Sequence, residues 1–318
     1  MTSIALVGNG VVGQRILGRL ALVLGGVELV EHDPRRGGTF PAVDLAVLAH
    51  GVPHATLAAA LLQRGVSVVS VSDDLDDVRA LIELDDTARS SDATLVVGAG
   101  MSPGLSGLVA RLLASTLASV DEIHVAVHGT AGPNCARQHH RALSGRAVGF
   151  HDGAWIQRPA GSGRELCWFP EPVGAYDCYR ARMASPLLLS RVFDGVERIS
   201  ERVSANRRDR FTAWLPMLSP PHREGGVGAI RVEVRGNDAD GARNTVIGGV
   251  AELVGTAAAA TAGAFAVEFV EGRLPVGLVV AGDAALDTTG MLRNVERLGV
   301  RLQEFTGVPS THRVRANP

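Results

Sequence analysis

The chain has 318 residues, 46% hydrophobic and 20% charged, which suits about two domains of roughly 150 residues each and excludes disorder as the main state. Its 33 acids against 31 bases leave a net charge of −2, which argues against a nucleic-acid-binding protein. All 31 bases are arginine, so a Schiff-base lysine, a phosphate-loop lysine and a lysine acid–base catalyst are excluded together.

An apolar strand opens the chain and runs into Gly8, Asn9, Gly10, Val11, Val12 and Gly13, followed by apolar residues at helical spacing, Ile16, Leu17 and Leu20. A G-x-G-x-x-G between a strand and a helix is the dinucleotide fingerprint in its required setting. The first glycine allows the turn, the second lets backbone approach a pyrophosphate, and the third lets the helix pack on the strand. The helix N-terminus then offers N–H groups to phosphate. A bound NAD or NADP is therefore expected. A second strand over 27–30 leads to Glu31, His32, Asp33, Pro34, Arg35 and Arg36. Asp33 fits the count for an acid that holds the ribose hydroxyls, and Glu31 fits the strand end. Arg35 or Arg36 could instead take a 2′-phosphate. An acid there repels that phosphate, which favours NAD.

Strands follow over 43–49, 66–71 and 94–97, with an Ala/Leu helix to Gln63 and an acidic helix over 73–90 between them. This alternation is the pattern of a doubly wound parallel sheet. It sets His50, Gly51 and His54 at the carboxyl edge, where ligands bind in such sheets. The same edge receives Gly98, Gly100, Met101, Ser102 and Pro103, which lead into a helix reaching about residue 118.

A strand over 120–127 opens a second, α+β domain. The polar cluster from His128 to Gly145 comes next, with a helix over 135–143. Without lysine, His139 or His140 is the natural proton carrier; adjacent helical residues point about 100° apart, so one of the two faces the site. Cys135 is either a nucleophile, forming a thiohemiacetal with an aldehyde, or a small buried residue. Arg137, Arg141 and Arg164 are candidate clamps for a substrate carboxylate, with Met101, Pro103 and Asp177 as further substrate contacts. The aromatic stretch 161–180 reads as a long structured loop, suited to a substrate lid or a subunit interface. Arg198 and Arg202 read as one face of a helix, and Arg207, Arg208 and Arg210 as an irregular joint with room for an anion. Strands at 228–235 and 244–249 precede a small-residue helix over 250–270, then a short helix and a last strand. The apolar stretch 253–267 is too short for the ~20 residues of a membrane span. Three cysteines without paired spacing, and no charged leader, suit a reducing cytoplasm. The expected domains are 1–120 for the dinucleotide, 121–249 for substrate and dimerisation, and 250–318 returning to the first.

The fingerprint at 8–13, the stretch GAGMSPGL and the later IRVEVRGNDADGARNTVIGG together resemble the saccharopine dehydrogenase-like oxidoreductases. The resemblance covers the first 120 residues and the last 90 or so, and is thinner between them. It implies a Rossmann domain, a second domain with a mixed sheet, a helix returning to the first domain, and NAD(P)-dependent chemistry at a carbon–nitrogen bond of an amino-acid-like substrate. Saccharopine-forming members use a Lys–His pair, which this chain cannot supply. The expected function is an NAD(P)-dependent oxidoreductase acting on a small amino-acid-like or carboxylate-bearing molecule, with histidine moving the proton and a homodimer as the assembly. The alternatives are a nucleotide-binding sensor without catalysis, and a transferase without net redox change that keeps NAD bound, as homospermidine-forming relatives do.

Overall fold

The computed structural model describes residues 2–36 and 39–304. In chain order the first part comprises β1 (Ser3–Val7), α1 (Val11–Val23), β2 (Glu28–His32), β3 (Leu45–Leu48), α2 (Ala55–Leu62), β4 (Ser67–Ser70), α3 (Leu75–Ile82), α4 (Asp85–Ser90), β5 (Thr94–Val97) and α5 (Leu105–Ala114). The acidic run expected as one helix is two, α3 and α4. Asp74 starts α3 by accepting from the backbone N–H groups of Asp76 and Asp77. The middle part comprises β6 (Ser119–His128), α6 (Pro133–Ala142), β7 (Arg146–His151), β8 (Ala154–Pro159), β9 (Glu165–Phe169), β10 (Gly174–Arg180), α7 (Ser185–Val192), β11 (Arg198–Ser204), α8 (Arg207–Thr212), β12 (Val227–Asn237) and β13 (Arg243–Leu253). The last part comprises α9 (Val254–Val270), β14 (Gly277–Val280), α10 (Thr288–Arg297) and β15 (Gln303–Glu304). Residues 305–318 of the expected C-terminal segment lie outside the described residues.

The first sheet runs β2-β1-β3-β4-β5-β14, every pairing parallel. Its inner strands β3, β4 and β5 are buried along their whole length, as strands covered by helices on both faces must be. The order reverses between β1 and β3, which places the ligand crevice at the ends of those two strands. The second sheet has nine strands along β15-β13-β12-β6-β11-β10-β9, with the β7–β8 hairpin joined to β11. β11 runs parallel to β6 and the other pairings are antiparallel, so the sheet is mixed.

Three expectations are corrected here. The 161–180 stretch is not a loop but the hairpin β9–β10, paired from Glu165↔Cys178 to Phe169↔Gly174. Arg198 and Arg202 do not share a helical face; they lie on strand β11, where alternate residues also share a side. Arg207, Arg208 and Arg210 belong to helix α8, which Asn206 caps.

The second sheet has two unlike faces. Ile123, Val125 and Val127 of β6 pair with Ile199, Glu201 and Val203 of β11 and with Val234, Val232 and Ile230 of β12, giving an apolar patch at the centre of one face with Glu201 set into it. The intervening residues, among them Glu122, His124, Arg202, Arg231, Glu233 and Arg235, line a cavity of about 320 Å³ on the other face. Helix α9, buried over nearly its whole length, packs its alanines and glycines on α1. At Gly263 a Cβ would come within 3.1 Å of the Leu298 side chain, so a larger residue at that position would press on it.

Candidate functional site

A cleft of about 340 Å³ opens at the carboxyl edge of the first sheet and is closed from the other side by α6 and the start of α9. Its first wall is the loop after β1. Gly8 holds a φ of +110°, and a Cβ there would strike the backbone of His50 at 2.7 Å. At Gly13 a Cβ would lie 2.0 Å from the Gly8 carbonyl oxygen, so only glycine lets α1 start this close to the strand. Gly10 differs: nothing lies within 4 Å of a Cβ built there, because it faces the open cleft. Gly10 is also the residue before α1, and no side chain caps that helix.

The end of β2 carries the expected acids. Asp33 accepts from Arg35 (Nε to Oδ1, 3.1 Å) and pairs with Arg36, and Arg35 reaches across to Asn9 Oδ1 at 2.9 Å. The hydrogen bonds from Arg35 hold the Asp33 carboxyl below its usual range. Glu31 accepts from Gln14 at 3.1 Å. His50, Gly51, Gly100 and Met101 line the cleft, whereas Gly98 packs against Leu188 and Pro103. His54 is fully buried: its Nε2–H donates to the His50 carbonyl at 3.0 Å and its Nδ1 accepts from Ser70 Oγ at 2.8 Å. Burial lowers its pKa to about 4, which leaves a neutral ring bracing two loops.

The far wall is α6. Residues three and four apart on a helix share a side, so Cys135, Gln138 and His139 turn together into the cleft. They meet Asp73, which stands after β4. His139 Nε2 donates to Asp73 Oδ2 at 3.0 Å, and Gln138 Nε2 donates to Oδ1 at 2.6 Å. Cys135, His139 and Asp73 present one ligating atom each within 4.8 Å of one another. Burial opposes charge on the His139 ring, but Cys135 and Asp73 outweigh it and hold the pKa well above the usual histidine value. His140 points away and binds the carbonyls of Thr212 and Leu215 at 3.1 and 3.2 Å. Arg137 and Arg141 lie on the exposed side of the helix.

A second cavity, of about 740 Å³, lies beyond α6. It is bounded by His128, Tyr176, Asn206, Asp209 and the Arg164–Asp177 ion pair, which spans 2.9 Å. His139 borders both spaces. Asp73 and Gln138 did not stand out in the sequence, since Asp73 reads as part of an acidic helix; its place after a buried four-residue strand was the available signal. Ser102 and Glu201 were missed as well. Ser102, in the loop after β5, lines the cleft and donates from Oγ to Glu201 Oε1 at 2.8 Å, while the Ser185 backbone N–H donates to Oε2 at 3.1 Å.

No family model matches this sequence, and no curated protein matches it either. Solved structures do. Apo saccharopine dehydrogenase (L-Glu forming) from Saccharomyces cerevisiae superposes with a TM-score of 0.65 at 12% identity, over 96% of this chain and 100% of that one. Homospermidine synthase from Legionella pneumophila, solved in complex with NAD, superposes with a TM-score of 0.66 at 14% identity, over 100% of this chain and 94% of that one. The fold of this chain is therefore the one that saccharopine dehydrogenase and homospermidine synthase share.

Proposed function

We propose that the protein is an NAD(P)-dependent oxidoreductase acting on a small amino-acid-like or carboxylate-bearing substrate. The observation that carries this reading is one cleft bounded on one side by the glycine loop at 8–13 and on the other by the Asp73–His139 pair. The residues present fit a dinucleotide: Gly10 leaves open the place a side chain would fill, and the first N–H groups of α1 have no side-chain cap. Gly8, Asn9, Gly10, Val11, Val12 and Gly13 would hold the pyrophosphate, and Asp33 or Glu31 with Arg35 would meet the adenosine ribose. His50, Gly51 and Gly100 would complete the cofactor side; Gly98, packed on Leu188 and Pro103, does not reach it. When bound, the nicotinamide supplies or accepts a hydride. The NAD in the homospermidine synthase structure, on the same fold, supports this assignment.

The chain's own part is to place and protonate. Asp73, fixed by Gln138, orients the His139 ring, and His139 exchanges a proton with the substrate at the border of the two cavities. Arg164 and Asp177, already a matched ion pair, would take the carboxylate and the ammonium of an amino acid. Met101 stands in the cleft wall and would touch the substrate, whereas Pro103, expected to do so as well, is buried against Gly98 and does not line the cleft. A homodimer is part of the proposal, supported by the exposed Phe211, Trp214 and Leu218 on one short stretch, and light scattering would count the copies. Among the described residues no helix is long and apolar enough to cross a membrane.

The test is calorimetric titration with NAD and with NADP on the wild type and on Gly10→Val. Gly10 has an extended ψ of −172° and an ordinary φ of −78°, so valine fits the backbone and fills only the open space. Binding should weaken by about tenfold or more, a cost above 1.4 kcal/mol, with an unchanged melting temperature. No binding to the wild type by either nucleotide would end the proposal. A screen of amino acids and keto acids by nicotinamide absorbance then identifies the substrate.

A further inference from the structure

Cys135 is the third residue of α6, one turn ahead of His139 and facing the same cleft. Asp73 accepts from His139 Nε2, so Nδ1 is the ring nitrogen left to exchange a proton with Cys135. That Nδ1 is buried and has no partner among the described residues, on a residue that is 6% exposed. An unpartnered ring nitrogen beside a thiol, with a carboxylate fixing the opposite nitrogen, is the arrangement that removes a thiol's proton. Cys135 is half-buried and borders the cleft, whereas Cys167 and Cys178 are buried in the second sheet. No side chain caps α6, so the backbone N–H groups of Asn134 and Cys135 stand ready for charge developing on an oxygen.

A divalent cation would also accept sulfur, imidazole and carboxylate. With Nδ1 on the cation, however, Asp73 would be taken up as the acceptor of the His139 Nε2–H and of Gln138, which leaves Cys135 and His139 as the ligands of this group. With no lysine in the chain, an imine to the protein is closed as a way of holding a carbonyl.

We infer that Cys135 is a nucleophile that adds to the carbonyl carbon of a small aldehyde carrying an amino or carboxylate group. The sulfur–carbon bond forms as the carbon–oxygen π bond breaks. The thiol proton passes through His139 Nδ1 to the carbonyl oxygen, giving a hemithioacetal. Nothing is oxidised or reduced in this step, and it is reversible. The inference rests on the oxidoreductase reading for the place and size of the substrate, and it narrows the substrate class to aldehydes.

The experiment is iodoacetamide alkylation of the full chain, followed by peptide mass mapping. Cys135 should react about tenfold faster than the thiol of glutathione at the same pH, and His139→Gln and Asp73→Asn should each slow it about tenfold. Aminoacetaldehyde should protect Cys135 saturably and ethanolamine should not. Should either variant fail to fold by circular dichroism, protection in the wild type decides. A Cys135 that reacts no faster than glutathione and gains no protection overturns the inference, as does one zinc per chain that Cys135→Ser releases. Calorimetry with NAD and NADP on Cys135→Ser separates the two proposals. Nucleotide binding without a reactive, aldehyde-protected thiol in the wild type removes only the nucleophile. A reactive, protected thiol without nucleotide binding removes only the oxidoreductase.

Discussion

Glu201 is a buried carboxylate among the apolar residues of the second sheet, 3% exposed, and burial raises its pKa from 4.5 to about 7 against the hydrogen bonds from Ser102 and Ser185 and the charge on His139. A carboxyl whose folded pKa lies above its unfolded one stabilises most below the unfolded value. That contribution, about 3 kcal/mol for a shift of this size, is lost as pH rises from 4.5 through about 7. Glu201→Gln mimics the protonated acid, so its melting temperature should exceed the wild type's at pH 8 and match it near pH 5; equal differences at both values would contradict the burial argument. At the other end of the cleft, Arg35 occupies Asp33 and contacts Asn9. Arg35→Ala frees the acid for ribose hydroxyls, and the ratio of the NADP to the NAD dissociation constant should rise about tenfold, or 1.4 kcal/mol, in paired titrations. The glycine loop was legible because its chemistry is contiguous in sequence. Asp73, Ser102 and Glu201 were not, because their partners lie 66, 99 and 16 residues away and meet only once two sheets have formed.

Elements were legible where one period dominated. β5 spans Thr94–Val97, the bounds its sequence predicts, and the mid-chain helix that carries His139 lies within two residues of its predicted bounds. β11 was misread because a spacing of four fits both periods: Arg198 and Arg202 share a side on a strand as they would on a helix, and only the alternation of Ile199, Glu201 and Val203 distinguishes the two. The β9–β10 hairpin was hidden by glycine and proline at its ends and by charged residues along exposed positions. Helix α3 shows how an element supports the site. Asp74 caps it with two backbone hydrogen bonds of 3.0 Å and directly follows Asp73. Asp74→Ala should cost about 1 kcal/mol by denaturant unfolding. It should also weaken the grip on the His139 ring, visible as a downfield or upfield shift of the His139 ring protons by NMR; unchanged stability and unchanged ring signals would deny the cap both roles.

For the whole molecule, the resemblance read from three sequence stretches agrees with the superposed fold, down to the mixed second sheet and the helix that comes back to α1. The return is more thorough than expected: β14 takes the edge of the first sheet beside β5, and β15 the edge of the second beside β13. Without residues 277–280, β5 keeps an unpaired edge, and without α9 the helix α1, with Ile16 and Leu20, loses the helix it packs against beside the sheet. A fragment of residues 1–120 should therefore lack a cooperative melt by circular dichroism and aggregate, although it contains the complete glycine fingerprint; a sharp two-state transition would contradict this. During synthesis the same geometry delays completion of the nucleotide fold until residues 277–280 have left the ribosome. From residue 97 to residue 277 the nascent chain carries a dinucleotide signature with an open sheet edge, and chaperones have that interval in which to cover it.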